Sequence, residues 1–408
     1  MRYTDFVHLD YEPSETDVVC DFRVEPRGIS LEEAAGGVAA ESSIGTWTQL
    51  TTVRPYVERF GATVFQMEGN EIRVAYPVEL FEPGNMPNIL SSVAGNVFGL
   101  GDLRRLRLND ISLPEALVRS FKGPRFGIEG VRRLLRVEGR PLVGTIIKPK
   151  LGLRTSDHAR VAYEAWVGGC DIVKDDENLS NQGFNPFEER VVETLEARDR
   201  AEEETGERKA YMVNVTAETG ELVRRAEYVK DQGGRYAMID IITCGFSALQ
   251  TLRRRDLGLV IHGHRAGHAA FTRMRSHGID MRVIAKAARA VGVDQLHVGT
   301  AVGKMSETRE EVIGNVDALK EPMHGLKPVL PVASGGLHPG LVPDLVEIFG
   351  MDLVIQTGGG IHGHPGGTAA GATAMRQAVD AVMEGFALGE YAEEHEELAL
   401  ALRTWSGG

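Results

Sequence analysis

The sequence has little of what marks a secreted or a membrane protein. Only three of its 408 residues are cysteines, Cys20, Cys170 and Cys244, and this wide spacing fits neither a disulfide framework nor a zinc ligand set. No apolar run approaches the roughly 18 residues of a membrane span, and the N-terminus lacks an apolar signal stretch. We therefore expect a cytoplasmic protein without a membrane partner.

The chain also lacks an excess of basic residues. Its 45 Lys and Arg residues against 58 Asp and Glu residues give a net charge of −13. A nucleic-acid partner is not expected, because a phosphate backbone requires a basic face. An anionic substrate would therefore have to be held by a local group of cations and backbone amides.

The first part of the chain, residues 1–123, mixes strand and helix patterns. Residues 17–24 and 63–66 have the pattern of strands, and residues 31–40 have the pattern of a helix. A stretch with Gly and Pro at residues 121–128 has the composition of a linker. We therefore predict a small α+β domain followed by a second domain.

From residue 124 to the end, short β-branched runs alternate with longer segments of helical periodicity. The count of eight predicts a (β/α)₈ TIM barrel over residues 124–408. A doubly wound open sheet is the alternative, but no G-x-G-x-x-G motif follows the first run. The eight runs are centred on residues 145–147, 171–173, 212–214, 238–240, 259–261, 295–297, 329–331 and 353–355.

Polar residues and glycines follow these runs at their carboxyl ends, where barrel enzymes place their active sites. One mouth of the barrel is therefore expected to collect lysines, carboxylates, histidines, an arginine and two glycine loops. They are Lys148, Lys150, Lys174, Asp176, Glu177, His264, Arg265, His297, Lys304, Ser334, Gly335, Gly336, Gly358 and Gly359.

The Lys174-Asp175-Asp176-Glu177 stretch is a candidate metal site. Lys174 and Asp176 point to the same side of an extended strand, since side chains alternate along it. A solvated acidic turn is the simpler explanation for such a stretch in isolation. At the end of a deeply apolar run, however, two carboxylates need a cation, and oxygen ligands favour Mg²⁺.

The glycine loops after the seventh and eighth runs predict a phosphorylated ligand, because glycine lets backbone N–H groups approach a phosphate closely. Arg265 predicts a second anion site, since its planar fork of donors suits phosphate. Lys304 lies in a glycine-bearing loop that could close over a ligand. The alternatives are ordinary glycine turns and an exposed surface lysine.

These motifs together match a known family: the sequence resembles the large subunit of ribulose-1,5-bisphosphate carboxylase/oxygenase (RuBisCO) over nearly its whole length. The short C-terminus, Met305 after the loop lysine and the stretch 361–367 resemble the archaeal-type form III. The motifs that carry the resemblance lie at residues 39–47, 95–99, 148–153, 168–178, 264–268, 297–304, 334–336 and 358–365.

The resemblance implies a ferredoxin-like N-terminal domain, a Mg²⁺ cofactor and activation by CO₂. Lys174 corresponds to the lysine that reacts with the activating CO₂ to become a carbamate. As a carbamate, this lysine shares one Mg²⁺ with Asp176 and Glu177. The substrates implied are ribulose 1,5-bisphosphate and CO₂, with O₂ as a competing substrate, and the products of carboxylation are two 3-phosphoglycerates.

The family also implies roles for the remaining charged residues of the mouth. Lys148 corresponds to the general acid/base near the substrate carbonyl, and Lys150 tunes it as a neighbouring charge. His264 corresponds to the base that assists at the carbon 3 hydroxyl, and Lys304 would steady the new carboxylate when its loop closes. The phosphate at one end is expected to be bound by Arg265, His297 and Ser334.

The second phosphate is expected at Thr46, Trp47, Gly335, Gly336, Gly358 and Gly359. In the family, the N-terminal domain reaches into the barrel of a second subunit, so that Glu41, Thr46, Trp47 and Asn96 would complete a site shared in a homodimer. Form III members work as dimers or rings of dimers without a small subunit. They often consume bisphosphate derived from nucleotides.

Three other functions are alternatives to this one. A RuBisCO-like enolase or isomerase would typically replace some of Glu41, Asn96, Lys148, His297 or Lys304, yet all are present. A catalytically silent barrel would have little reason to keep costly buried lysines and carboxylates together. A Schiff-base aldolase, with Lys148 as the nucleophile, is the weakest of the three.

Overall fold

The computed structural model describes residues 2–303 and 306–405. Two compact units are present. The first comprises Met1–Lys122, Gly267–Val291 and Pro322–Leu326, and the second comprises Gly123–Ala266, Gly292–Glu321 and Lys327–Gly408. Within the described residues, none of the helices combines the length and the hydropathy needed to span a bilayer.

The first unit is built on a sheet with the strand–helix–strand–strand–helix–strand order of ferredoxin-like domains. Strand Val18–Pro26 lies between Glu71–Tyr76 and Leu103–Ser112, antiparallel to both, and Thr63–Glu68 pairs with the outer side of Glu71–Tyr76. Burial alternates along Val18–Pro26, which packs one face of the sheet into the core. The predicted α+β unit is confirmed.

The helices of the first unit begin with favourable caps. Helix Leu31–Glu41 starts with a capping box, in which the Ser30 and Glu33 side chains accept from each other's backbone N–H groups. The remaining helices of this unit are Met86–Val93, Glu115–Val118, Ala269–Thr272 and Met281–Val291, with 3₁₀ turns at Tyr3–Phe6, Pro55–Phe60, Val78–Leu80 and Asn96–Gly99.

A fifth strand in this sheet comes from far along the chain. Gly278–Ile279 pairs in parallel with Leu103–Ser112. The Arg107 guanidinium donates to Asp280 Oδ2 at 2.7 Å, and Lys286 Nζ donates to Asp110 Oδ1 at 2.6 Å. These contacts attach residues 267–291 to the sheet.

The second unit is a closed parallel barrel, as predicted. Each strand pairs with the next one along the chain and the last pairs with the first. All eight predicted runs are confirmed as strands. Their bounds are Leu142–Ile146, Ile172–Lys174, Ala210–Asn214, Tyr236–Asp240, Val260–His264, Gln295–His297, Leu330–Ser334 and Val354–Thr357.

Helices follow the strands, as the periodicity predicts. Helix Gly127–Leu135 precedes the first strand. The others in this unit are Thr155–Val167, Phe187–Thr205, Thr219–Asp231, Gly245–Arg255, Arg309–Lys320, Val342–Phe349, Gly359–His362, Gly367–Glu384, Leu388–Tyr391 and Glu396–Trp405, with a 3₁₀ turn at Pro339–Leu341.

The amino-terminal end of the barrel is filled with apolar side chains. Ile128, Val131 and Leu135, from helix Gly127–Leu135, pack against strand residues such as Leu142 and Val260. Each large apolar side chain buried in this way stabilises the fold by about 1.5–3 kcal/mol. This filled end holds the strands in register, so that polar side chains can be positioned at the opposite, carboxyl end.

Candidate active site

Lys174 is the last residue of the second barrel strand, and its side chain is 1% exposed. Its Nζ donates to the Asp175 carbonyl at 2.7 Å and to Glu177 Oε2 at 3.4 Å. Burial lowers the pKa of the Lys174 amine, although the neighbouring carboxylates of Glu177 and Asp176 oppose the effect. The amine is therefore closer to its neutral, nucleophilic form than a surface lysine.

Asp176 and Glu177 lie two and three residues after Lys174 and face the same region. Lys148 Nζ donates to Asp176 Oδ2 at 2.9 Å, and the Asn178 backbone N–H donates to Asp176 Oδ1 at 3.1 Å. Burial alone would raise the pKa of Asp176, but the hydrogen bond and the charge of Lys148 hold it below its usual value. Burial would also raise the pKa of Glu177, but the charges of Lys174 and His264 hold it below its usual value. Both carboxylates are thus ionised near neutral pH.

A buried network behind this motif was not predicted from the sequence. Asp175 is fully buried and accepts from Tyr211 Oη at 2.6 Å, from Arg190 Nε at 3.3 Å and from the Asn214 backbone N–H at 2.9 Å. His158 Nε2 lies 3.2 Å from Asp175 Oδ1, the oxygen that accepts from Tyr211. Burial opposes ionisation of Asp175, yet the Arg190 charge holds its pKa well below the usual value.

Asn214 and Asp240 end the third and fourth strands and hold neighbouring loops. Asn214 Nδ2 donates to the carbonyls of Glu177 and Leu179 at 3.0 and 2.9 Å. Asp240 Oδ1 lies 3.1 Å from His264 Nδ1 and accepts from the Ala266 backbone N–H at 2.8 Å. Neither was among the predicted site residues, although both obey the rule that polar residues at carboxyl ends of barrel strands form the site.

Three histidines lie together beside the carboxylates. His264 Nε2 is 3.5 Å from Glu177 Oε2, and the His264 ring centroid is 4.7 Å from that of His297. His297 Nε2 lies 2.9 Å from His262 Nε2. Burial lowers the pKa of His262 to about 3 and that of His297 well below its usual value, so both rings are neutral.

Arg265 is buried with an incomplete set of partners. Its Nη2 donates to Glu307 Oε1 at 2.6 Å, while its Nη1 is buried without a hydrogen-bond partner among the described residues. An unsatisfied buried guanidinium N–H is costly, and an anion is the partner that suits it. The geometry is consistent with the predicted anion site at Arg265.

The two glycine loops follow the seventh and eighth strands. Gly335 and Gly336 have φ angles of 129° and 74°, which favour glycine. A Cβ on Gly303 would lie 2.7 Å from the Gly335 carbonyl oxygen. The loop after the sixth strand, which contains Gly303, is therefore in close contact with the loop after the seventh strand. A Cβ on Gly358 would lie 3.1 Å from Lys148 Cε, which puts the eighth loop beside the lysine.

The remaining predicted residues fall into three groups. Lys150 is exposed, and Ser334 ends the seventh strand and is partly buried. Lys304 lies outside the described residues. Glu41, Thr46, Trp47 and Asn96 belong to the first unit, where Glu41 accepts from Tyr3 Oη at 2.8 Å and the Trp47 side chain is 82% exposed.

The donor set can be tested against a divalent ion. Within the described residues, no group of three or more His, Cys, Asp and Glu side chains is arranged to hold a metal ion. Asp176 and Glu177 supply two hard oxygen donors, and the Lys174 amine lies beside them. These residues suit Mg²⁺ if Lys174 carries a carboxylate, since Mg²⁺ selects oxygen ligands.

A closed parallel barrel with ionised carboxylates, lysines and histidines at its carboxyl rim defines a (β/α)₈-barrel enzyme. Family models for the ribulose bisphosphate carboxylase large chain match residues 127–405, as its catalytic domain, and residues 5–117, as its N-terminal domain. The chain therefore belongs to the RuBisCO large-chain family, whose members are carboxy-lyases with oxygenase activity.

Known relatives agree with the predicted archaeal type. The chain is 50% identical to ribulose bisphosphate carboxylase from Methanocaldococcus jannaschii, covering 98% of this chain and 100% of the relative. The octameric RuBisCO of Pyrococcus horikoshii superposes with a TM-score of 0.96 at 50% identity, covering 100% of this chain and 97% of that one. The dimeric archaeal RuBisCO of Hyperthermus butylicus gives 0.93 at 45% identity, covering 99% of each chain.

Proposed function

We propose that this chain enolises ribulose 1,5-bisphosphate, adds CO₂ and cleaves the product to two 3-phosphoglycerates, with O₂ as a competing substrate. The observation that carries the proposal is the buried Lys174 amine, which ends a barrel strand two residues before Asp176 and lies 3.4 Å from Glu177 Oε2. Burying a lysine beside two ionised carboxylates costs free energy. A catalytic role for these residues explains why they are kept together.

Activation converts Lys174 into an oxygen donor. The neutral amine attacks the carbon of CO₂, a C–N bond forms, and one amine proton is released. The side chain changes from a neutral amine to an anion. The carbamate oxygens then lie beside the carboxylates of Glu177 and Asp176, and together they form a set of anionic oxygen donors. The carbamate, Asp176 and Glu177 would hold Mg²⁺, which would supply Lewis-acid stabilisation of the negative charge that develops on the substrate oxygens.

The chain's own bases then move protons. His264 Nδ1 lies 3.1 Å from Asp240 Oδ1. Because an ionised carboxylate only accepts, this contact favours the tautomer with the proton on Nδ1 and with Nε2 as the acceptor on the side of Glu177. His264 is therefore the base that assists at the carbon 3 hydroxyl. Lys148 is held by Asp176 at 2.9 Å and donates the proton that the departing carbanion needs, with Lys150 as a neighbouring charge.

The two phosphates are bound at different parts of the rim. The buried, unpartnered Nη1 of Arg265 supports a phosphate there, with His297 and Ser334 adding hydrogen bonds. Since His297 is neutral, it contributes a hydrogen bond rather than a charge. The other phosphate is bound by backbone N–H groups of Gly335, Gly336, Gly358 and Gly359, and Lys304 steadies the new carboxylate.

The complete site requires two copies of the chain. A second copy would supply Glu41, Thr46, Trp47 and Asn96 from its first unit. The exposure of Trp47 supports this arrangement, because a large exposed aromatic side chain is typical of an interface. Relatives that are dimeric and octameric support a homodimer or a ring of dimers without a small subunit. A cytoplasmic location and a substrate derived from nucleotides are further parts of the proposal.

The test is a carboxylation assay with ribulose bisphosphate, Mg²⁺ and labelled bicarbonate. Lys174→Met should abolish product formation and the CO₂-dependent mass increase of the peptide that contains Lys174. The matched control is Lys209→Met, because Lys209 is equally buried but precedes its barrel strand and pairs with Glu207. Full activity of folded Lys174→Met protein would contradict the proposal.

A further inference from the structure

A second cationic site lies at the amino-terminal end of the barrel, opposite the catalytic rim. A cavity of about 390 Å³ opens there between helix Gly127–Leu135 and the turns that precede two barrel strands. Four arginines and an apolar wall line it: Arg133, Arg136, Arg208, Arg235, Phe126 and Leu134. None of these residues takes part in the proposed carboxylation.

Separate elements bring the four arginines together. Arg133 lies in the last turn of helix Gly127–Leu135, and Arg136 caps that helix in a left-handed conformation with a φ of 55°. Arg208 lies two residues before strand Ala210–Asn214, and Arg235 lies directly before strand Tyr236–Asp240. Two of the arginines are thus positioned by the starts of barrel strands and the other two by the end of the helix.

The positive charge of this cavity is only partly compensated. Glu202 pairs with both Arg208 and Arg235, at 2.8 Å from each. No other described carboxylate forms an ion pair with any of the four arginines, and Arg133 and Arg136 have none. Four guanidinium groups therefore face one carboxylate, in a chain whose net charge is −13. The positive charges of arginines that line one cavity repel each other, and a bound anion would relieve this repulsion.

The remaining wall of the cavity is apolar. Phe126 and Leu134 are partly buried and pack against the core that fills the end of the barrel. The guanidinium fork fits phosphate oxygens in pairs. Phe126 and Leu134 offer apolar surface to a ligand in this cavity, and its volume lies in the range of small-molecule sites.

We propose that this arginine cavity binds a nucleoside diphosphate, with the phosphates on the four arginines and the base against Phe126 and Leu134. The site is separate from the catalytic rim. Strand Ala210–Asn214 runs from the cavity side to Asn214 at the rim, and a strand of five residues spans roughly 16 Å.

The first experiment measures binding of ADP to the intact protein by equilibrium dialysis, with adenosine as the uncharged probe. The test variant is Arg133→Gln/Arg136→Gln, whose side chains are exposed and unpaired. The matched control is Arg224→Gln/Arg309→Gln, which removes two exposed charges elsewhere in the same unit. We expect one class of ADP sites to weaken at least tenfold in the test variant and to stay unchanged in the control.

Crystals of the wild type soaked in ADP provide the second readout, because the catalytic rim can also accept phosphates. Density between the four arginines would support the proposal. Density at the rim alone, equal ADP binding by the test variant and the wild type, or adenosine binding as tightly as ADP would overturn it. Carboxylation by the test variant without ADP should equal that of the wild type, which shows that the fold is intact.

Discussion

His262 and His297 share a hydrogen bond at the rim of the barrel, with their Nε2 atoms 2.9 Å apart and their rings nearly perpendicular. One ring nitrogen must carry the proton and the other must accept it, so both rings have to be neutral. His262 Nδ1 lies 3.0 Å from Gln295 Oε1, which fixes the proton on Nδ1 and makes His262 Nε2 the acceptor. His297 is therefore held as the tautomer protonated on Nε2.

The first prediction concerns this pair. His262→Phe keeps the volume but removes the acceptor, so the His297 ring loses its fixed orientation. We expect KM for ribulose bisphosphate to rise about fivefold, since one hydrogen bond contributes about 1 kcal/mol, while kcat changes little. Steady-state kinetics test this expectation. His395→Phe, on a histidine stacked on Tyr391, is the control and should change neither constant.

The second prediction concerns pH. Because burial lowers the pKa of His262 to about 3, the unfolded chain binds a proton near pH 6.5 that the folded chain does not. The free energy of unfolding should therefore decrease as the pH falls below about 6.5, with His262 contributing about 1 kcal/mol between pH 6.5 and 5.5. Urea unfolding at several pH values measures this slope. His262→Phe should show a shallower loss; an identical slope would contradict the prediction.

The third prediction concerns the buried carboxylate behind the lysine. Asp175→Asn leaves the Arg190 charge buried without its counterion, so we expect a loss of about 3–5 kcal/mol in the free energy of unfolding. Carboxylation should also fall, since Lys174 and Asp176 flank this residue. Asp21→Asn breaks an exposed pair with Arg73 and should cost less than about 1 kcal/mol. Chemical denaturation compares the two variants, and equal losses would argue against the network.

The fourth prediction concerns the glycine loop after the seventh strand. Gly336→Ala places a Cβ on a residue with a φ of 74°, which costs about 1 kcal/mol of stability, and moves backbone N–H groups away from the phosphate. KM for the bisphosphate should rise. Gly206→Ala has nearly the same φ, 70°, in an ordinary left-handed conformation with open space around it, and serves as the control. It should lose similar stability at an unchanged KM.

The fifth prediction concerns the shared site. Lys174→Met and Glu41→Gln chains should each be inactive alone. In mixed dimers, one of the two sites combines an intact barrel with an intact first unit. Co-refolding equal amounts should therefore recover about a quarter of wild-type activity, because half of the dimers are mixed and half of their sites are complete. No recovery, with mixed dimers shown to form, would mean that each chain builds its own site.

The sequence was sufficient to predict the barrel, because its strands are short, fully buried and spaced by regular helices. The prediction that polar residues gather at the strand ends also placed Lys148, Lys174, Asp176, Glu177 and His264 within one connected group of contacts. Both predictions rest on local sequence patterns. Because all barrel strands run in the same direction, residues at their carboxyl ends come close together in space.

The supporting residues could not be predicted in the same way. Asp175 looks like one carboxylate among three in the sequence, and only burial against Arg190 and Tyr211 distinguishes it from Asp176. The strand Leu103–Ser112 was missed because charged residues dominate its exposed positions. Gly278–Ile279 has two residues and no strand pattern of its own, so only its distant partner defines it.

That short strand has a practical consequence for dividing the molecule. A fragment that ends at Lys122 would lack residues 278–279, and the backbone N–H and C=O groups of Leu103–Ser112 on that side would be exposed as an open sheet edge. Such an edge invites pairing with other chains, so the isolated fragment should self-associate. Adding Lys or Pro on the outer side of this strand would be the remedy for anyone who expresses it alone.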